Sequence, residues 1–123
     1  MKKIIYTNQA PEPVGPYSQA ILVDNVLYCS GQIAINPSKN ELVKGTIQEE
    51  TEQIMQNINA VLKEAGFSFE NVVKTTCFLD DMKNFAEFNE TYAKYFISKP
   101  ARSCVEAKLP KGARVEVEVI AVK

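Results

Sequence analysis

Apolar and polar positions alternate with a period of two along residues 114–122, and residues 3–6, 20–23, 26–33, 72–79 and 102–107 are short strand-like runs, 72–79 being β-branched and apolar enough for a buried strand, so six strands are predicted. Residues 20–23 and 26–33 are separated only by Asp24-Asn25, a pair suited to a tight hairpin turn. Before them, Pro11, Pro13 and Pro16 restrict the backbone, so the loop between the first two strands should be stiff. Residues 36–40, Asn-Pro-Ser-Lys-Asn, read as loop.

The period then changes to that of a helix. Thr46 followed by Glu49 forms a capping-box signature, and Ile47, Ile54, Ile58, Val61, Leu62 and Ala65 share one face up to a stop at Gly66. Asp80-Asp81 offers N-caps for a second helix running to Phe96, which turns Phe85, Phe88, Tyr92 and Phe96 toward the core. The predicted order is three strands, helix, strand, helix, two strands, an α+β arrangement with two helices on one face of a single sheet. No linker divides it, so residues 1–123 should form one domain. In the last strand Val115, Val117, Val119 and Ala121 point one way and Arg114, Glu116 and Glu118 the other. A second sheet face that mixes charged and apolar residues suggests packing between copies, with pockets at the seams, so a homo-oligomer is expected.

Composition narrows the chemistry. The 46% hydrophobic and 24% charged residues suit a globular chain, and a net charge of −1 without a basic run beyond Lys2-Lys3 disfavours nucleic acid as a partner. No segment is long enough to cross a bilayer, and the N-terminal apolar stretch is too short for a signal peptide, so a cytoplasmic protein is expected. Cys29, Cys77 and Cys104 lie far apart and read as free thiols; with no histidine to complete a ligand set, no metal site is expected. Without histidine, neither a Ser-His-Asp triad nor a Cys-His pair can form, which leaves proton transfer to Glu, Asp, Tyr, Lys, Cys or water.

The stretch Pro100-Ala-Arg-Ser-Cys-Val-Glu106 carries the strongest chemical signal. Alternation places Arg102, Cys104 and Glu106 on one strand face, and a half-buried guanidinium calls for an anion, best a planar carboxylate. The anion could belong to a small ligand or to a structural Glu. Gly31, inside a strand pattern, marks either a ligand or backbone approaching closely, or a β-bulge. Asn89 interrupts the apolar stripe of the second helix and either caps a loop or reaches a cleft. Glu116 could hold a water or pair with Arg114 or a neighbouring copy's Lys. Cys104 lacks a neighbouring base and reads better as a small apolar filler than as a nucleophile.

Four motifs in order, Gly15-Pro-Tyr-Ser-Gln-Ala20, Cys29-Ser-Gly-Gln-Ile33, Pro100-Ala-Arg-Ser-Cys-Val-Glu106 and Val115-Glu-Val-Glu-Val-Ile-Ala121, resemble those of the RidA family, also called YjgF/YER057c/UK114. The resemblance spans essentially the whole chain. It implies a chorismate-mutase-like fold, a homotrimer with its sheets packed inward and ligand clefts between subunits, and no metal or organic cofactor. It also implies hydrolysis of reactive enamines and imines, produced by pyridoxal-phosphate-dependent dehydratases, to 2-keto acids and ammonia. By the same resemblance Arg102 clasps the substrate carboxylate, Tyr17 lines the cleft, Ser30 and Gly31 bring backbone close to the ligand, Cys104 offers its N–H, Asn89 adds a contact and Glu116 holds the water. The link from Glu106 to Leu109 is a residue shorter than in some relatives, which makes Glu118 the alternative to Glu116. A non-catalytic carboxylate-binding regulator and an endoribonuclease or translation inhibitor are the competing functions.

Overall fold

The computed structural model of the protein describes residues 1–123. Its elements are β1 (Lys2–Ile5), β2 (Ala20–Val23), β3 (Val26–Cys29), β4 (Ile35–Asn36), β5 (Glu41–Leu42), α1 (Ile47–Glu64), β6 (Val72–Leu79), α2 (Phe85–Tyr95), β7 (Ala101–Glu106) and β8 (Val115–Val122). Six strands form one sheet in the order β1-β2-β3-β8-β6-β7, in which only the β6–β7 pair is parallel. The α2 crossover supplies that parallel connection, as a strand pair running the same way requires. Both helices lie on one face, giving the α+β architecture expected from the sequence.

Local chemistry explains the element ends. The capping box closes α1: Glu49 N–H donates to Thr46 Oγ1 (3.1 Å) and Thr46 N–H to Glu49 Oε1 (2.8 Å). At the other end Gly66, at φ 81°, takes the left-handed conformation that ends a helix cheaply. The β2–β3 hairpin turns through Asp24, at φ 53°. The core forms where α1 (Ile54, Met55, Ile58, Val61, Leu62) and α2 (Phe88, Tyr92) meet the inward residues of β8 (Val115, Val117, Val119, Ala121), all buried. Burial of each large aliphatic or aromatic side chain contributes about 1.5 to 3 kcal/mol.

Three expectations need correction. Residues 36–40 are not simply loop: Asn36 closes β4, and the remainder is the turn of a β4–β5 ribbon held by Ile35↔Leu42 and Asn36↔Glu41 pairing. Strands this short carry too little alternation to be seen in sequence. Asp81 does cap a helical turn, its Oδ1 accepting from Lys83 N–H (2.9 Å), but that turn is a 3-10 turn at Met82–Asn84, and the α-helix starts only at Phe85. The third strand stops at Cys29 rather than Ile33, because pairing with β8 slips there. Tyr28 faces Ile120 whereas Gln32 faces Val117, four residues on one side against three on the other, a one-residue bulge.

The sheet face away from the helices carries a row of apolar side chains in register, Ile4, Ile21, Tyr28 and Ile120, with Glu116 and Glu118 further along β8. Ile4 is 63% and Tyr28 49% exposed, a large apolar exposure for one side of a sheet. No helix is long and apolar enough to cross a membrane.

Candidate functional site

The sequence-predicted residues fall into two groups, and the sheet separates them. The first centres on Arg102, at the edge strand β7. Arg102 pairs in register with Thr75 of β6, whose side chain faces the helices, so its own side chain lies on the helix side beside α2. Its Nη1 donates to Asn89 Oδ1 (2.7 Å), and its guanidinium carbon lies 4.8 Å from the Tyr92 ring centre and 5.4 Å from that of Phe85. Stacking of this kind suits the weakly hydrated, delocalised guanidinium. Neither the ion pairs nor the hydrogen bonds of the chain give Arg102 a carboxylate partner. No glutamate of the same chain meets this guanidinium. Beside the guanidinium opens a cavity of about 450 Å³, lined by Asn89, Tyr92, Ala93, Ile97, Lys99 and Pro100 among others. Lys99 stands at φ 55° immediately before Pro100, two restrictions on one residue at the entrance to β7.

Cys104 lies two residues further along the same face, partly buried, directly opposite Cys77 of β6. Burial raises the Cys104 thiol above its usual range, and the nearby Arg102 only partly offsets this. Burial pushes Cys77 and Cys29 up to about 12. These are inert thiols, with no base beside them.

The second group lies on the opposite face. Glu116 pairs with Phe78 of β6, which pairs in turn with Val105 of β7, so Glu116 shares the open face with Val105 while Arg102 belongs to the other. Its cavity, about 340 Å³, is lined by Tyr17, Ser30, Gly31, Gln32, Lys111 and Glu116 among others. Gly31 sits in the bulge described above, and a Cβ placed on it would lie 2.2 Å from Glu116 Oε2. The glycine lies in the bulge, and what approaches it is a side chain of the same chain rather than another backbone: the bulge puts bare backbone under the Glu116 carboxylate. Glu116 is half-buried, and burial followed by the neighbouring Glu118 raises its pKa above the ordinary 4.5. Arg114 does not neutralise it; that guanidinium instead holds the buried Glu50 of α1 (Nε–Oε2 2.7 Å) and the Gly45 carbonyl.

Tyr17 is half exposed, and its hydroxyl accepts from Val14 N–H (3.3 Å), folding the ring back over the proline-bounded loop. Ser30 donates its hydroxyl to Ser18 C=O (2.6 Å) and its N–H to Gln19 C=O (2.9 Å), tying the third strand to that loop. Sequence reasoning missed the residue that anchors the loop. Gln19, 2% exposed, accepts from Thr7 N–H (2.7 Å) and donates to the Thr7 and Pro11 carbonyls (3.0 Å each). It also missed that Phe85, Asn89 and Tyr92, spaced by four and three residues, form one helical stripe against Arg102, a spacing the sequence displays.

Comparison with known proteins gives a consistent result. A family model described as Endoribonuclease L-PSP matches residues 7–123. The chain is 47% identical to the human 2-iminobutanoate/2-iminopropanoate deaminase, over all of this chain and 91% of that one. Among solved structures it is similar to a protein of the conserved Rid family from Yersinia pestis (TM-score 0.96, 48% identity, 100% of both chains). It is also similar to E. coli TdcF with bound serine (TM-score 0.93, 36% identity, 98% of both). Motifs, topology and full-length similarity agree, and the chain belongs to the L-PSP family, the RidA family to which its four motifs point.

Proposed function

We propose that this chain, acting as one domain over residues 1–123, is a 2-iminobutanoate/2-iminopropanoate deaminase that hydrolyses short 2-imino acids, and the enamines that tautomerise to them, to 2-keto acids and ammonia. The observation that carries the reading is Arg102: an arginine held by aromatic faces and one amide oxygen, without a carboxylate partner, beside an open cavity. A substrate carboxylate would complete it. Two charge-assisted hydrogen bonds, each about 1.5 to 3 kcal/mol, suffice to hold so small an acid. That the similar TdcF structure contains serine, a small amino acid with the same carboxylate, fits this use of the pocket. A net charge of −1 supports a small acid over a polynucleotide as the ligand.

Arg102 and Glu116 occupy opposite sheet faces, so we infer a cleft shared between copies, in a homotrimer closed over the apolar open face. One copy supplies Arg102, with Asn89 and the Cys104 backbone N–H; the next supplies Glu116, Tyr17, Ser30 and Gly31. An enamine first takes a proton from solvent at C3 to become the protonated imine, the iminium ion. Water held by Glu116 then adds to C2 of the C=N bond, its proton passing to the carboxylate. That proton passes to nitrogen; the Glu116 carboxylate then takes the carbinolamine hydroxyl proton as the C2 carbonyl forms and the C–N bond breaks, and that proton leaves with the ammonia as ammonium, beside the 2-keto acid. A carboxyl with a raised pKa is suited to both transfers, and Tyr17 closes over the planar substrate.

Complementation tests the shared cleft. Arg102→Ala and Glu116→Gln should each be inactive with imine generated by a threonine dehydratase. Refolded together, the two should recover roughly a quarter of wild-type activity, the random-pairing expectation for a site built from two copies. No recovery from folded, mixed assemblies would refute the sharing.

A further inference from the structure

We propose, resting on the deaminase reading above, that Tyr92 is a positioning residue for the carboxylate clasp: it fixes the plane in which Arg102 presents its guanidinium, and Thr75 fixes Tyr92 in turn. Tyr92 is buried, and sequence reasoning treats it as core. Its ring indeed packs on Phe96 (4.5 Å between centres) and Phe88 (5.5 Å). Two further contacts exceed what a core aromatic needs. Its outer face lies 4.8 Å below the Arg102 guanidinium carbon, and its hydroxyl is 2.7 Å from Thr75 Oγ1. Thr75 is fully buried and is the register partner of Arg102 on the adjacent strand. The chain therefore closes a loop of contacts, from Arg102 through the ring to the hydroxyl, to Thr75 and back across the β6–β7 ladder.

This loop answers a physical problem. An arginine side chain has many rotamers, and freezing them when ligand binds would consume much of the attraction to a small carboxylate. The stripe Phe85, Asn89, Tyr92 freezes them beforehand. Asn89 takes one N–H, the two aromatic faces set the plane, and the remaining N–H groups make no hydrogen bond within the chain. Phe85 lies further off, at 5.4 Å, and is only partly buried, so the closer, hydroxyl-tethered Tyr92 carries most of the orientation. A ring free to tilt would let the guanidinium tilt with it.

A pre-organised anchor holds ground state and transition state alike, so its loss should appear in KM and ligand affinity rather than in kcat. The measurements are kcat and KM for 2-iminobutanoate formed in situ, and calorimetric Kd for 2-oxobutanoate, a stable acid of the same shape, on assemblies whose Tm is recorded. Tyr92→Leu should raise KM and Kd about tenfold with kcat within twofold, the scale of a shielded cation–π contact. Tyr92→Phe keeps the ring and loses the tether, so it should raise both two- to threefold. Thr75→Val should match it, and combining the two should add nothing. A purely structural role would instead lower Tm and the active fraction and leave Kd unchanged. Should Tyr92→Leu not fold, the hydroxyl variants decide: Kd values within error of wild type in both overturn the proposal. Arg102→Ala separates the two readings. If it retains activity the deaminase clasp itself is wrong, whereas its failure alongside an unaffected Tyr92→Leu removes only the present inference.

Discussion

The Arg102 pocket and the Glu116 pocket are built from one sheet by opposite means. On the helix side, a long side chain is immobilised by other side chains: two rings and an amide from α2. On the open side a shorter side chain is accommodated by backbone, where the bulge at Gly31 leaves space that any Cβ would occupy. The first is stable without ligand because stacking leaves the cation's charge unopposed but its apolar faces covered. The second keeps its carboxyl half-buried, with burial and the neighbouring Glu118 raising its pKa above the ordinary 4.5. On the proposed roles, an anchor benefits from rigidity and a proton carrier from a displaced pKa, and each pocket supplies one of these.

Four perturbations would break or sharpen this contrast. Arg102→Ala should have the largest effect, lowering kcat/KM by roughly 10² to 10⁴ through loss of two charge-assisted bonds, with Tm within a few degrees of wild type. Retained turnover of threonine-derived imine would show that the anchor lies elsewhere. Gly31→Ala comes next: the new methyl meets Glu116 Oε2, so the carboxyl must move, and kcat should fall about tenfold with smaller changes in KM. A loss confined to KM would assign Gly31 to ligand approach alone.

The third perturbation is pH. The Glu116 carboxyl in the folded chain titrates above its ordinary 4.5, so kcat/KM should rise with pH along a limb displaced upward from that value. The sign for stability is opposite. Between 4.5 and the raised value the folded state binds the proton more tightly than the unfolded one, so this group's contribution is present below the window and lost as pH rises through it. Glu116→Gln should thus be at least as stable as wild type at neutral pH, which thermal unfolding checks. Smallest is Thr46→Ala, which removes the α1 cap at a residue lining neither pocket and should cost about 1 kcal/mol of stability with kcat and KM unchanged.

Much of this was legible because local chemistry dictated it. Thr46 and Glu49 announce a helix start, Gly66 its end, and alternation in β8 places its buried valines correctly. What remained hidden depends on partners distant in sequence. The β4–β5 ribbon rests on pairs such as Val43 N–H to Ala34 C=O, whose residues carry no strand pattern. Arg114 could have met Glu116 by proximity on the strand, yet the buried carboxylate of Glu50, 64 residues away in sequence, captures it. Tyr92 fits the core stripe so well that its second role is invisible until Arg102 is seen above it. Asn89, for which the sequence left two roles open, is explained by the same neighbour.

The placement of Arg102 and Glu116 on opposite sheet faces also bears on dosage. If the cleft is shared between copies as proposed, a solitary chain owns two halves of different clefts and no whole one. On that proposal turnover per chain becomes a function of how many chains are present, falling away on dilution at the point where the assembly comes apart.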